Sequence, residues 1–173
     1  MGTHMLLLKS LIKTVLMAGL VSCPLLSHAG EPPEGVPQAY IDAGETIIDV
    51  GYSLSEPFDN GDYITTSIRP EGLCGMTKTQ ETYSEGGDHL KTIVTTYDLA
   101  RIDPETIQSD NLGGIKFLAI DGAPVFPQRT VFGGNFAMDL PGDNLSVDDA
   151  ETDIEPMIEA LSYLVEYCTT PEA

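Results

Sequence analysis

A mainly β domain of the α+β kind, a curved antiparallel sheet or β-sandwich of about seven strands closed by one C-terminal helix, is the expectation from three features of the sequence. Short β-rich runs recur at close spacing between Gly, Pro and Asp clusters. A single apolar stripe of helical period stands at the end of the chain. Two cysteines, Cys74 and Cys168, lie where one bridge would tie the middle of the chain to that last element.

The chain opens with Met1-Gly2-Thr3-His4, read as an added extension ahead of a natural start at Met5. Residues 5–29 have the plan of a signal peptide: Lys9 and Lys13 form a basic region, Thr14 to Leu26 an apolar one, and Ser27-His28-Ala29 a small-x-small cleavage site. Leu20-Val21-Ser22-Cys23 also fits a lipobox, which would make Cys23 a lipid-anchored N-terminus. The apolar Pro24-Leu25-Leu26 after it favours ordinary cleavage after Ala29. The expected location is thus the periplasm. No other run is long and apolar enough to suggest a membrane span.

Residues 30–44 are expected to be a Pro-rich leader, extended and unpacked, and residues 45–173 one β-rich domain. Thr46-Ile47-Ile48-Asp49-Val50 reads as the first strand, stopped by Gly51. Residues 62–68 alternate Ile64, Thr66 and Ile68 against Tyr63, Thr65 and Ser67, and end at Pro70-Glu71-Gly72. His89 to Leu99 is the longest β-favouring run, preceded by the hairpin loop Ser84-Glu85-Gly86-Gly87-Asp88. Asp103-Pro104 marks a turn, with Pro104 fixing φ and Asp103 supplying a local acceptor.

Ile115 to Ile120 forms an apolar strand, and Asp121-Gly122 before Val125-Phe126 suggests a further hairpin. Thr130-Val131-Phe132 and Phe136 to Leu140 flank Gly133-Gly134-Asn135 as another. The helix is placed at 147–168, with Ala150, Ile154, Met157, Ile158, Leu161, Leu164, Val165 and Cys168 on one stripe. Either Ser146 with Asp149 or Thr152 with Glu155 caps it; the second choice keeps Pro156 in the first turn, where proline is tolerated.

Charge and composition narrow the function. The chain has 8 Lys and Arg against 27 Asp and Glu, a net charge of −19. The signal segment holds two of the lysines and none of the acids, so cleavage leaves a domain of net charge −21. Such a surface repels nucleic acid and anionic membrane and suits a basic protein partner. Outside the reducing cytoplasm Cys74 and Cys168 are expected to pair, closing a loop whose stabilisation is about 4–5 kcal/mol.

No motif of catalysis stands out. The mature chain has one histidine, His89, no G-x-S-x-G, and Gly-Gly pairs that sit between strands rather than opening helices. Acids at 143–155 lack the glycine and spacing of an EF-hand, and Glu85, Asp88 and His89 are a weak metal set, so no metal and no cofactor is expected. Any two of 27 acids can be imagined as a hydrolytic pair, and with no tryptophan to stack a sugar that reading ranks third. Recognition remains: Tyr52, Phe58 and Tyr83 as anchors, rimmed by Asp59, Asp62, Glu85 and Asp88.

From Tyr63 to Cys168 an extended run ends in Tyr97-Asp98-Leu99-Ala100-Arg101-Ile102-Asp103-Pro104-Glu105-Thr106-Ile107. A glycine-led strand and turn follow from Gly114 to Gly122, then an amphipathic helix ending near a cysteine. This order resembles small exported bacterial proteins with pleckstrin-homology-like β domains, some of which act as immunity proteins against envelope hydrolases delivered by type VI secretion. The resemblance implies a curved sheet closed by one helix and a binding role, and it transfers no site residue. The expected function is an immunity or inhibitor protein that occludes the active site of a basic envelope hydrolase. The alternative is an envelope structural or ligand-carrying protein, lipid-anchored through Cys23.

Overall fold

The computed structural model describes residues 35–110, 113–147 and 153–170. The signal segment, Cys23 and the candidate caps Asp149 and Thr152 therefore lie outside the described residues. Nine strands form two antiparallel sheets, with a helix at each end of the described chain.

The first helix, α1 (Gln38–Val50), replaces both the expected unpacked leader over 38–44 and the expected strand at 46–50. Tyr40, Ala43 and Ile47 recur at three and four and are buried, and that burial outweighs the β preference of Thr46-Ile47-Ile48. Gly44 of this helix faces Pro70, whose Cγ would lie 3.4 Å from an added Cβ, an ordinary packing distance. Gly51 ends the helix with its N–H on Ile47 O.

The large sheet runs β1 (Ser53–Leu54), β2 (Tyr63–Glu71), β3 (Gly75–Tyr83), β4 (His89–Asp98), β7 (Phe126–Phe132), β8 (Ala137–Leu140) in spatial order. The small sheet is β5 (Gln108–Ser109), β6 (Gly114–Leu118), β9 (Gly142–Ser146). Two hairpins stand where the sequence places them, at 84–88 between β3 and β4 and at 133–136 between β7 and β8. Asp103 accepts from Glu105 N–H at 3.1 Å, as the turn reading requires.

The expected 115–126 hairpin does not form. Asp121 and Gly122 do take the left-handed backbone of a tight turn, with φ 61° and 63°. The chain then diverges, however, and β7 pairs with β4 and β8 while β6 pairs with β5 and β9. Pro141 lies where the chain passes from β8 in one sheet to β9 in the other.

Alternation on the large sheet separates two faces. Thr66, Ile68, Met76, Lys78, Thr95 and Tyr97 are buried, whereas Thr65, Ser67, Thr77 and Thr79 between them are only half-buried. Both helices pack on the buried face or on each other, together with the small sheet. Phe117 meets Tyr97 and Phe126 there edge to face, and Tyr97 and Phe126 are tilted to each other, with centroids 5.4–5.8 Å apart. The last helix, α2 (Ile154–Thr169), starts later than residue 147 because Pro156 fits only in a first turn. It buries Met157, Leu161, Leu164 and Val165.

Cys74 and Cys168 form the disulfide, with Cα atoms 5.6 Å apart and a sequence separation of 94. Cys74 holds φ 64°, and its N–H donates to the Tyr40 hydroxyl at 3.0 Å. That hydroxyl lies 4.0 Å from Cys168 Sγ, so α1, the β2–β3 turn and α2 meet at one point.

A second fastening crosses the core. Lys78, 4% exposed, pairs with the Asp143 carboxylate and donates to Asn144 O at 3.2 Å, joining the two sheets. Tyr97 donates to the same carboxylate, and desolvation, followed by the Asp143 charge and that bond, pushes its phenol well above the usual value.

Two outcomes follow. The Cys74→Ala/Cys168→Ala variant should lose about 4–5 kcal/mol in urea unfolding, the value for a closed loop of this length. Folded Tyr97 keeps its proton to higher pH than the unfolded chain does, so its contribution is complete below about pH 10 and falls as pH rises above that. Tyr97→Phe should flatten this alkaline decline in unfolding free energy, while costing about 1.5–3 kcal/mol at neutral pH through the lost bond to a charged group.

Candidate functional site

Three loops converge at one end of the large sheet: 55–62 before β2, 84–88 before β4 and 133–136 before β8. Each is built by its own sequence. In the first, Phe58 N–H donates to Asp62 O and Gly61 N–H to Phe58 O, while Asn60 Nδ2 reaches Asp62 Oδ2 at 2.7 Å. In the second, Ser84 and Asp88 exchange backbone and side-chain bonds, with Asp88 N–H on Ser84 Oγ at 3.0 Å. In the third, Thr130 N–H closes on Phe136 O at 2.8 Å.

The loops touch. Gly61, at φ 83°, leaves room for Glu85, whose Cβ would lie 2.8 Å from a Cβ at that position. Gly133, at φ 74°, lies against the Leu90 carbonyl, which would be 2.0 Å from an added Cβ. Phe58, Asp59, Asp62, Tyr83, Glu85 and Asp88 are thus brought to one end of the fold, as the sequence reading groups them. Tyr52 is exposed just before β1. It is near enough for its charge to bear on the Tyr83 phenol.

Four rings cross the strands at this end. Tyr63 stacks on Tyr83 at 5.4 Å, Tyr83 meets His89 at 5.3 Å, and His89 stacks on Phe132 at 4.6 Å. The row follows from register, since Tyr63 opposes Tyr83, Tyr83 opposes His89, and Phe132 opposes Thr92 three residues beyond His89. Stacking occupies the ring faces inside the row and leaves ring edges, the Tyr63 end and the Phe132 end to solvent. Leu90, Val131 and Phe136 add exposed apolar surface, Val131 at 62%.

Tyr63, Leu90, Val131, Phe132 and Phe136 are the residues of this end that sequence reasoning missed, and His89 was weighed there only as a metal ligand or base. Their signal was present: Tyr63 and Tyr83 lie equally far from Leu73 at the centre of the β2–β3 turn. Seeing it required recognising β3.

Acid sits beside the row. Glu81 Oε1 lies 3.9 Å from His89 Nε2. The Tyr83 phenol is raised first by desolvation and then by the Glu81 charge and a hydrogen bond to it, with Tyr63 and Tyr52 adding to the shift. Thr92 Oγ1 is 2.8 Å from the same His89 Nε2. Hydroxyl and carboxylate therefore compete for one nitrogen instead of lying at opposite nitrogens, and the ring is held between Tyr83 and Phe132. That arrangement fixes an imidazole; it does not set up a nucleophile, base and orienting acid in line. Among the described residues no three His, Cys, Asp or Glu side chains gather as a metal site.

No protein-family model matches the chain, and no curated protein or solved structure is similar enough to count as a match.

The contact between Gly61 and Glu85 is directly testable. Gly61→Ala both strains a positive φ and crowds Glu85, and should cost about 1–2 kcal/mol in thermal or urea unfolding. Amide exchange should rise in both the 55–62 and 84–88 loops; a rise in the first loop alone would show that the two are not coupled.

Proposed function

We propose that the chain is an exported, non-enzymatic binding protein of the bacterial envelope, an immunity or inhibitor protein that occludes the active site of a basic hydrolase. One observation carries this reading: two touching loops hold the acids Asp59, Asp62, Glu85 and Asp88 beside a part-exposed row of aromatic rings at a single end of the sheet. A desolvated aromatic centre with a charged rim is the anatomy of a protein-binding patch, in which rings supply affinity and charge steers encounter. The net charge of −19 makes a basic surface the fitting partner. The signal-like residues 5–29 and the disulfide support an oxidising compartment. In this mechanism the acidic loops enter the substrate groove of the hydrolase and exclude substrate.

The test is co-expression of residues 30–173 with the product of the neighbouring reading frame, followed by chromatography and an assay of the partner's activity. A complex that silences hydrolysis is expected. Its affinity should fall about tenfold or more between low and physiological salt, with the loss in association rate. Phe132→Ala should weaken it by about 2 kcal/mol, near thirtyfold, mainly through faster dissociation, and Glu85→Lys should slow association. No complex at physiological salt, or one indifferent to both substitutions, would overturn the reading.

A further inference from the structure

The large sheet ends on β8, whose far side no described strand joins. The opposite edge, β1, is only two residues long and offers little template. β8 pairs with β7 from Phe126↔Leu140 to Arg129↔Ala137, and Thr130 N–H donates to Phe136 O. Bonded residues alternate along an antiparallel pair. Phe136, Met138 and Leu140 therefore turn their peptide groups toward β7, and Ala137 and Asp139 turn theirs outward. Edge strands are usually blunted by lysine, proline, a bulge or a covering loop. Pro141 stops this strand, yet residues 131–139 are all exposed, with Phe136 at 46% and Met138 at 45%.

The two faces of this edge differ in chemistry. Met138 opposes Gln128, whose amide bonds Thr95 Oγ1 inside the core, so Met138 continues the core-side face beyond the last strand. Ala137 and Asp139 belong to the other face, in line with Arg129 and Pro127. An added strand would thus meet apolar side chains on one face and a carboxylate on the other.

We propose that β8 is a strand-addition site that takes an extended segment of the partner in which apolar residues alternate with Lys or Arg. This rests on the reading of the chain as a binder of a basic protein. The added strand bonds the outward peptide groups of Ala137 and Asp139, its apolar residues cover Phe136 and Met138, and its cations meet Asp139. A second copy of the chain is the competing occupant. Two molecules of net charge −19 repel one another, whereas a basic segment is drawn in.

The experiment uses the folded chain and two probe peptides of about eight residues, one alternating Val and Lys, the other Val and Glu. Amide hydrogen exchange is read residue by residue. The lysine peptide should slow exchange at Ala137 and Asp139 tenfold or more, and the glutamate peptide should not. Ala137→Pro, which removes an outward donor, should abolish the protection. Asp139→Lys, which leaves the backbone donors in place, should transfer the preference to the glutamate peptide. Equal protection by both peptides, protection confined to other residues, or a dimer by sedimentation that protects β8 without peptide would each overturn strand addition. The co-expressed complex separates this inference from the reading beneath it. A complex that survives Ala137→Pro but is lost with Glu85→Lys overturns strand addition and keeps the partner-binding role. Absence of any complex with the unaltered chain overturns the role itself.

Discussion

A sheet of six strands has two faces, and this chain has enough apolar material to cover one. Ile68, Met76, Tyr97 and Phe126 point to the same side, and both helices and the small sheet are gathered there. The buried Lys78–Asp143 pair sets how the two sheets face each other. Burying an ion pair is costly and rarely adds net stability, but losing one partner leaves an unpaired charge in the core, so the pair resists any other alignment of β3 against β9. The disulfide and the Tyr40 hydroxyl then hold α1 and α2 over the sheet's covered face. The disulfide and the buried ion pair lie on that covered side, and the ring-bearing loop end and the β8 edge lie outside them.

The loop end is well ordered for a surface of this kind. Its turns are closed by Asn60 Oδ1, which accepts from Asp62 N–H, and Ser84 Oγ, which accepts from Asp88 N–H, while the Asp62 carboxylate accepts from the Asn60 amide. The ring row fixes the side chains above them at little further entropy cost, since each ring already stacks on its neighbour. Side chains held in this way lose little further freedom in any contact made there.

Some of this was legible from residues alone. Cys74 and Cys168 pair as expected of the two thiols that follow the signal-like segment, and the stripe from Met157 to Val165 is helical. Local turn chemistry at Asp103 and at 84–88 also reads true. What escaped depends on contacts distant in sequence. β3, with Thr77, Lys78, Thr79, Gln80 and Glu81 in succession, has polar residues on both faces and a buried lysine that its partners Asp143 and Asn144 on β9 explain. β9 reads Gly-Asp-Asn-Leu-Ser and becomes a strand through pairing with β6. The 46–50 run carries strand-favouring residues, and its helical fate is decided by Tyr40 and Ala43, which lie before the expected domain start. The acids of the candidate site were visible because composition displays them. The ring row was not, because it exists only across strands whose register the sequence does not print.

The central claim is that a partner docks on the loop end of the large sheet. Side-chain oxidative footprinting of the complex tests it most directly, because Phe58, Tyr63, Tyr83 and Phe132 are all reactive rings. The account predicts that these four lose reactivity together when the partner is bound, while Tyr163 on α2, exposed at a distance from the loops in sequence, does not change. Protection of Tyr163 with the four rings left reactive would contradict it and move the binding surface to the helical side.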